Sequence, residues 1–189
     1  MTNNMMFFIY LSLGFWLTMS VYWVIKAKTN SQTSFVSEIS SISKLIFSAL
    51  IIYLPLLTGG WLARPLFQIN IGINIIGVIL CGIGVGFAIW ARHVLGKNWS
   101  GKVMIQKEHA LIIEGPYSVT RNPQYTGGIL AFFGTALILG QVFGFIWSIF
   151  LMLGLIWKAK QEEKVLENKF PNEYKEYRRK VKMIIPYIY

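Results

Sequence analysis

The stretch Ile69-Asn-Ile-Gly-Ile-Asn-Ile-Ile-Gly-Val-Ile-Leu-Cys-Gly-Ile-Gly-Val-Gly-Phe-Ala-Ile-Trp90 carries no charged side chain. A backbone that crosses hydrocarbon finds no water for its N–H and C=O groups, so it crosses as a helix of about 20 mostly apolar residues. Residues 69–90 meet that requirement. The run Gly82-Ile83-Gly84-Val85-Gly86 superficially resembles a dinucleotide fingerprint. A fingerprint needs a strand before it, and none precedes it here. These glycines, with Gly72 and Gly77, instead read as a surface on which another helix backbone can pack closely. Cys81 reads as a small core residue.

Working outward, residues 5–25 also hold no charge, and they lack the basic lead and small-residue cleavage site of a signal peptide. Residues 45–63 form another apolar run, with Pro55 and Gly59-Gly60 as expected kinks. Residues 124–157 are too long for one crossing, and Gly140-Gln141 reads as a turn between two short helices, 124–139 and 143–157. The expectation is an all-α polytopic membrane bundle in one domain, with five spans. The last two form a short hairpin. The polar segments 91–123 and 158–189 lie outside the bilayer, the latter as helices.

Composition agrees. Of 189 residues, 54% are hydrophobic and 14% charged, with a mean hydropathy of +0.52; soluble domains carry about a quarter charged residues. This excludes a disordered tail, a fibrous repeat and an ordinary cytosolic enzyme. One cysteine excludes a disulfide framework within the chain. The 18 Lys and Arg face 8 acids, for a net charge of +10. Sorted by loop, 17 of the 18 fall on one side if the amino end is outside; Arg64 alone lies opposite. The positive-inside rule therefore predicts an external amino end and a cytoplasmic tail. It accounts for the net charge through topology, with no nucleic-acid partner.

Chemistry is expected in the two polar segments. In the first, Asn122-Pro123 reads as a helix start, since Asn is a good N-cap and Pro is tolerated at the first position. Arg121 beside that positive helix end reads as an anion site for a carboxylate or phosphate. The plainer reading makes Arg121 a positive-inside anchor, Tyr117 and Tyr125 interfacial aromatics and His109 a loop residue. In the second segment, Lys158 and Glu162 are spaced to pair across one helical turn. Glu163 points elsewhere, to hold a cation or simply to be solvated. Leu166, Phe170, Tyr174, Tyr177 and Val181 recur at three or four residues, a stripe that packs on the bundle. Pro171 starts a further helix. No Ser–His–Asp arrangement, metal cluster or phosphate loop is present in the sequence.

Five elements in order resemble the isoprenylcysteine carboxyl methyltransferase family. That family lies within the small integral-membrane methyltransferases that include phospholipid N-methyltransferases. The elements are Leu95-Gly96-Lys97-Asn98-Trp99-Ser100; His109-Ala110-Leu111-Ile112 with Gly115-Pro116-Tyr117; Arg121-Asn122-Pro123-Gln124-Tyr125 with Gly127; Glu162-Glu163 with Leu166, Phe170, Glu173-Tyr174 and Tyr177; and Ile185-Pro186. The likeness covers about half the chain, from Trp90 to Pro186.

The resemblance implies an S-adenosylmethionine-dependent enzyme that methylates a lipophilic acceptor entering from the bilayer, most readily the carboxylate of an isoprenylcysteine. It implies that Gln106, His109, Ala110, Leu111, Ile112 and Tyr117 line the cofactor pocket. Arg121, Asn122, Pro123 and Tyr125 would close it, with Glu163 at its polar end. Lys158 would face the acceptor's carboxylate. Two positions depart from the family pattern, which has Arg-His-Pro at 121–123 and Arg at 158. Asn122 cannot carry a proton at neutral pH, and Lys158 lacks the planar fork of Arg. An amine or thiol acceptor would need a base, for which Glu163 and His109 are the candidates. Two rivals from other classes are an NADPH-dependent reductase of the sterol type, which shares an Arg-x-Pro-x-Tyr segment, and an inactive membrane scaffold.

Overall fold

The computed structural model describes residues 3–29, 43, 46–96 and 111–188. Its helices are α1 (Asn3–Thr29), α2 (46–51), α3 (Leu54–Thr58), α4 (Ile71–Leu95), α5 (Pro123–Leu139), α6 (Val142–Lys169) and α7 (Pro171–Lys180). Among the described residues there is no strand, only one isolated bridge between Pro65 and Gln141.

Helices α1, α4 and α6 are long and apolar enough to cross a membrane; α5 is apolar but shorter, at 17 residues. The protein is a membrane protein of all-α architecture. The segment read as a second span does not form one helix. Pro55 has no N–H and its ring crowds the carbonyl four residues earlier. The chain therefore turns through Ile52 and Tyr53, restarts at Leu54 and stops at Gly59, where φ is +65°.

Of the glycines of α4, Gly77 and Gly84 pack against another helix backbone and Gly82 against the Phe15 ring, whereas Gly86 meets nothing within 4 Å and Gly72 only the Asn70 side chain. A methyl group on Gly84 would meet the Gly127 carbonyl oxygen and the Ala131 amide nitrogen at 2.5 Å, and one on Gly77 would meet the Gly134 oxygen at 2.8 Å. Gly77 and Gly84 on α4 thus face Gly134 and Gly127 on the antiparallel α5, and the two backbones touch. Cys81 is fully buried in the same seam, 3.6 Å from the Thr135 hydroxyl. Helix α1 completes the core: Phe15 lies on Gly82, and Trp16 Nε1 donates to Thr135 Oγ1 at 3.1 Å.

At one end of the bundle, the turn between α5 and α6 is bonded to the loop before α4. Leu66 N donates to Gly140 O (2.8 Å) and Val142 N to Arg64 O (3.1 Å). Gly140 is left-handed at φ +61°, and Ile69 leaves no room there for a side chain. At the other end, α6 continues without a break past Trp157 through Lys158, Glu162 and Glu163 to Lys169. Phe170 caps α6 and opens α7, with Pro171 at its first position as expected. Tyr174 and Tyr177 of the expected stripe are buried, the stripe being carried across two helices.

Candidate active site

Three pieces of chain converge at this second end: the entry to α5, the polar part of α6 and the stretch after α7. A 3-10 turn at Gly115–Ser118 brings the chain back to the bundle. Tyr117 is buried there, its carbonyl accepting from Tyr177 Oη at 2.6 Å. Burial pushes the hydroxyls of Tyr117, Tyr174 and Tyr177 above the ordinary tyrosine value, so each stays a neutral donor.

Asn122 holds the N-cap position of α5, but its side chain makes no cap bond. Its Nδ2 donates instead to Glu163 Oε1 (2.8 Å) and Met183 O (3.3 Å). Arg121 donates to the same carboxylate as a fork, Nε to Oε1 and Nη2 to Oε2, both at 2.9 Å. Its remaining nitrogen Nη1 donates to Val181 O. The anion expected beside Arg121 is therefore supplied from within the chain, by Glu163. Burial works against the guanidinium charge and the Glu163 carboxylate outweighs it, so Arg121 is held above its ordinary value.

A second cluster adjoins it one residue earlier on α6. Tyr125 Oη donates to Glu162 Oε1 at 2.6 Å, and Lys158 Nζ lies 3.8 Å from that same oxygen. The ammonium also sits 5.5 Å from the centre of the Tyr125 ring. Lys158 and Glu162 pair as their spacing predicts, at a length and exposure that make the pair easy to exchange.

Of the candidate residues, the structure brings together Arg121, Asn122 and Glu163 in one cluster and Tyr125 and Lys158 in the next. Pro123 is buried at the first position of α5. Leu111 and Ile112 are half-buried ahead of the Gly115 turn, and Tyr117 faces Ala91 and Tyr177. Gln106, His109 and Ala110 lie outside the described residues.

Sequence reasoning missed Glu162 as the partner of Tyr125, and it missed the clamp behind Arg121. Thr120 Oγ1 donates to Met183 O (2.8 Å), Thr126 Oγ1 to Ile184 O (2.7 Å) and Arg121 N to Lys182 O (2.8 Å). The partners are backbone carbonyls, which leave no trace in residue type. Thr120 and Thr126 flanking Arg121-Asn122 were the available signal. Among the described residues, no three His, Cys, Asp or Glu side chains gather as a metal site requires.

Residues 73–173, more than half the chain, match the family described as Phospholipid methyltransferase. Protein-S-isoprenylcysteine O-methyltransferase of Saccharomyces cerevisiae is 34% identical over 122 residues, which cover 61% of this chain and 49% of that protein. The protein of the same name from Schizosaccharomyces pombe is 34% identical over 83 residues, 43% of this chain and 35% of that protein. The chain spans half the length or less of these curated relatives. Because the family match contains Arg121, Asn122, Tyr125, Lys158, Glu162 and Glu163 together, the two clusters lie inside the part shared with relatives, and the chain belongs to the phospholipid methyltransferase family.

Proposed function

We propose that the protein transfers a methyl group from S-adenosylmethionine to a lipophilic acceptor, the carboxylate of an isoprenylcysteine-like molecule, at the cytoplasmic edge of the membrane. The observation that carries this reading is the Tyr125–Lys158–Glu162 cluster set beside the Arg121–Glu163 fork, where the apolar face of α6 ends. The names of both fungal relatives support the same chemistry.

The residues fit this cofactor. The Tyr125 ring already carries a cation on its face, the Lys158 ammonium at 5.5 Å, and it would suit a sulfonium in the same way once Lys158 turned to the acceptor. When bound, the cofactor supplies an activated methyl group on a charged sulfur. The chain's own residues then bind, align and exclude water. Arg121 and Asn122 hold Glu163 in one orientation, and the first turn of α5 is fixed with it. Lys158, whose bond to Glu162 is long, exchanges that partner for the acceptor's carboxylate. An acceptor carboxylate is already ionised, so no base is needed, and alignment with desolvation supplies the rate.

The amino end lies outside and α7 lies in the cytoplasm in this reading, supported by the one-sided distribution of Lys and Arg. The broken segment 45–63 and α5 complete five passages. The bonds between the loop at 64–66 and the turn at 140–142 support placing both at the outer end.

The test is methyl transfer from labelled adenosylmethionine to a prenylcysteine acid and, separately, to phosphatidylethanolamine. Label released by mild alkali from the first acceptor is the ester expected. Alkali-stable label in the second selects the amine-methylating alternative. Calorimetric titration in detergent with adenosylmethionine and NADPH separates the other classes. Heat from NADPH alone would select the reductase, and silence from both would select the scaffold.

A further inference from the structure

The stretch after α7 faces two ways. Inward, its carbonyls at 181–184 hold Arg121, Asn122, Thr120 and Thr126. Its Met183 and Ile184 side chains are buried with Ala159, and Tyr125, Ile129 and Ile156 pack around them. Ile156 lies two residues before Lys158, where the apolar face of α6 gives way to charge. Residues 183–184 therefore sit at the level where hydrocarbon meets water. Outward, the chain closes a turn, Ile188 N donating to Ile185 O at 3.1 Å. That turn displays Ile185, Tyr187 and Ile188 at 47%, 90% and 75% exposure. Tyr187 takes a left-handed φ of +66°, the one non-glycine residue among those described to do so. An aromatic residue adopts that conformation at a cost, and here it aims the ring away from the protein.

We propose that residues 185–188 are an interfacial anchor seated among lipid headgroups, and that residues 181–184 tie the Arg121–Asn122 segment to it. The occupant is the bilayer surface. The turn continues an apolar cluster in which Met183 and Ile184 pack with Ala159 and Ile156 of α6 and Tyr125 and Ile129 of α5, and α6 itself exposes Leu153 and Trp157. Tyrosine beside aliphatic residues, with the exposed Lys182 just before them, is the chemistry that settles at that depth. The membrane surface and the site are then parts of one hydrogen-bonded piece.

The anchor is tested without reference to the reaction. Cys81 is fully buried, so a thiol-reactive, environment-sensitive fluorophore on Tyr187→Cys labels one position of the full chain. In phosphatidylcholine vesicles, lipids bearing a headgroup nitroxide are expected to quench it strongly. They should quench a label on Glu176→Cys, on the polar face of α7, weakly. Ile185→Ser with Ile188→Ser should remove most of the quenching at 187. Equal quenching at 187 and 176 overturns the anchor, as does self-quenching between copies without quenching by lipid.

The link to the site rests on the proposed methyl transfer. In the same vesicles the double serine variant is expected to raise the KM for adenosylmethionine severalfold with its unfolding temperature unchanged. An unchanged KM overturns the link. Wild-type turnover in those vesicles is the control, because its absence would count against the reaction and leave the anchor's quenching result standing.

Discussion

Arg121 and Glu163, 42 residues apart in the chain, meet as a two-pronged fork with both bonds at 2.9 Å and only 7% and 11% of their side chains exposed. Losing one partner leaves the other charge uncompensated in a dry setting. Glu163→Ala is expected to cost about 3 kcal/mol of stability, read as a fall in unfolding temperature in detergent. It should also weaken adenosylmethionine binding. Replacing both residues with apolar ones of similar size should recover much of the stability but none of the affinity. Unchanged affinity in Glu163→Ala would remove the fork from the cofactor site.

The α4–α5 seam makes a purely structural prediction. Gly84→Ala forces a methyl group onto backbone atoms at 2.5 Å, and helix backbones cannot step aside as a side chain can. A loss of about 1–3 kcal/mol is expected. Gly86→Ala, which meets nothing within 4 Å, should be neutral or slightly stabilising. Thermal unfolding of the two variants side by side decides it, and equal behaviour would contradict the close approach of α4 and α5.

Lys158 should separate acceptor from cofactor. Lys158→Gln removes the positive charge that greets a carboxylate, so KM for a prenylcysteine acid is expected to rise roughly tenfold. Adenosylmethionine affinity should change far less, and Lys158→Arg should restore acceptor binding. If the acceptor is instead an amine, Lys158→Gln will leave its KM unchanged or lower it.

Tyr125 has a ring and a hydroxyl with different tasks. Tyr125→Phe loses the bond to Glu162 and keeps the cation-binding face, at a cost of about 1 kcal/mol in cofactor affinity. Tyr125→Leu loses both and should cost at least as much again. Calorimetric titration of the two variants measures the difference.

Much of this arrangement could be read from the sequence because its causes are local. Helix periodicity, the missing N–H of Pro123 and Pro171, and the one-turn spacing of Lys158 and Glu162 act over a few residues. The glycines of α4 announced a close neighbour, though not that Gly127 and Gly134 would be the surfaces they touch. What could not be read is long-range. Whether Arg121 faces a ligand or Glu163 depends on how α5 and α6 stand to each other. The carbonyls of Lys182, Met183 and Ile184 are chemically those of any residue. The break after residue 51 was signalled by Pro55, but its consequence, a short helix and not a bent one, depended on the following Gly59-Gly60 as well.

The continuity of α6 has a metric consequence. Between Trp157 and Glu163 the helix is continuous, so six residues at about 1.5 Å each set the fork about 9 Å beyond the last aromatic of the apolar face. A rigid rod of that length acts as a ruler held against the membrane. Under the proposed methyl transfer, that length would favour acceptors whose reacting group stands about one short headgroup above a hydrocarbon tail over those that keep it buried or carry it far into water.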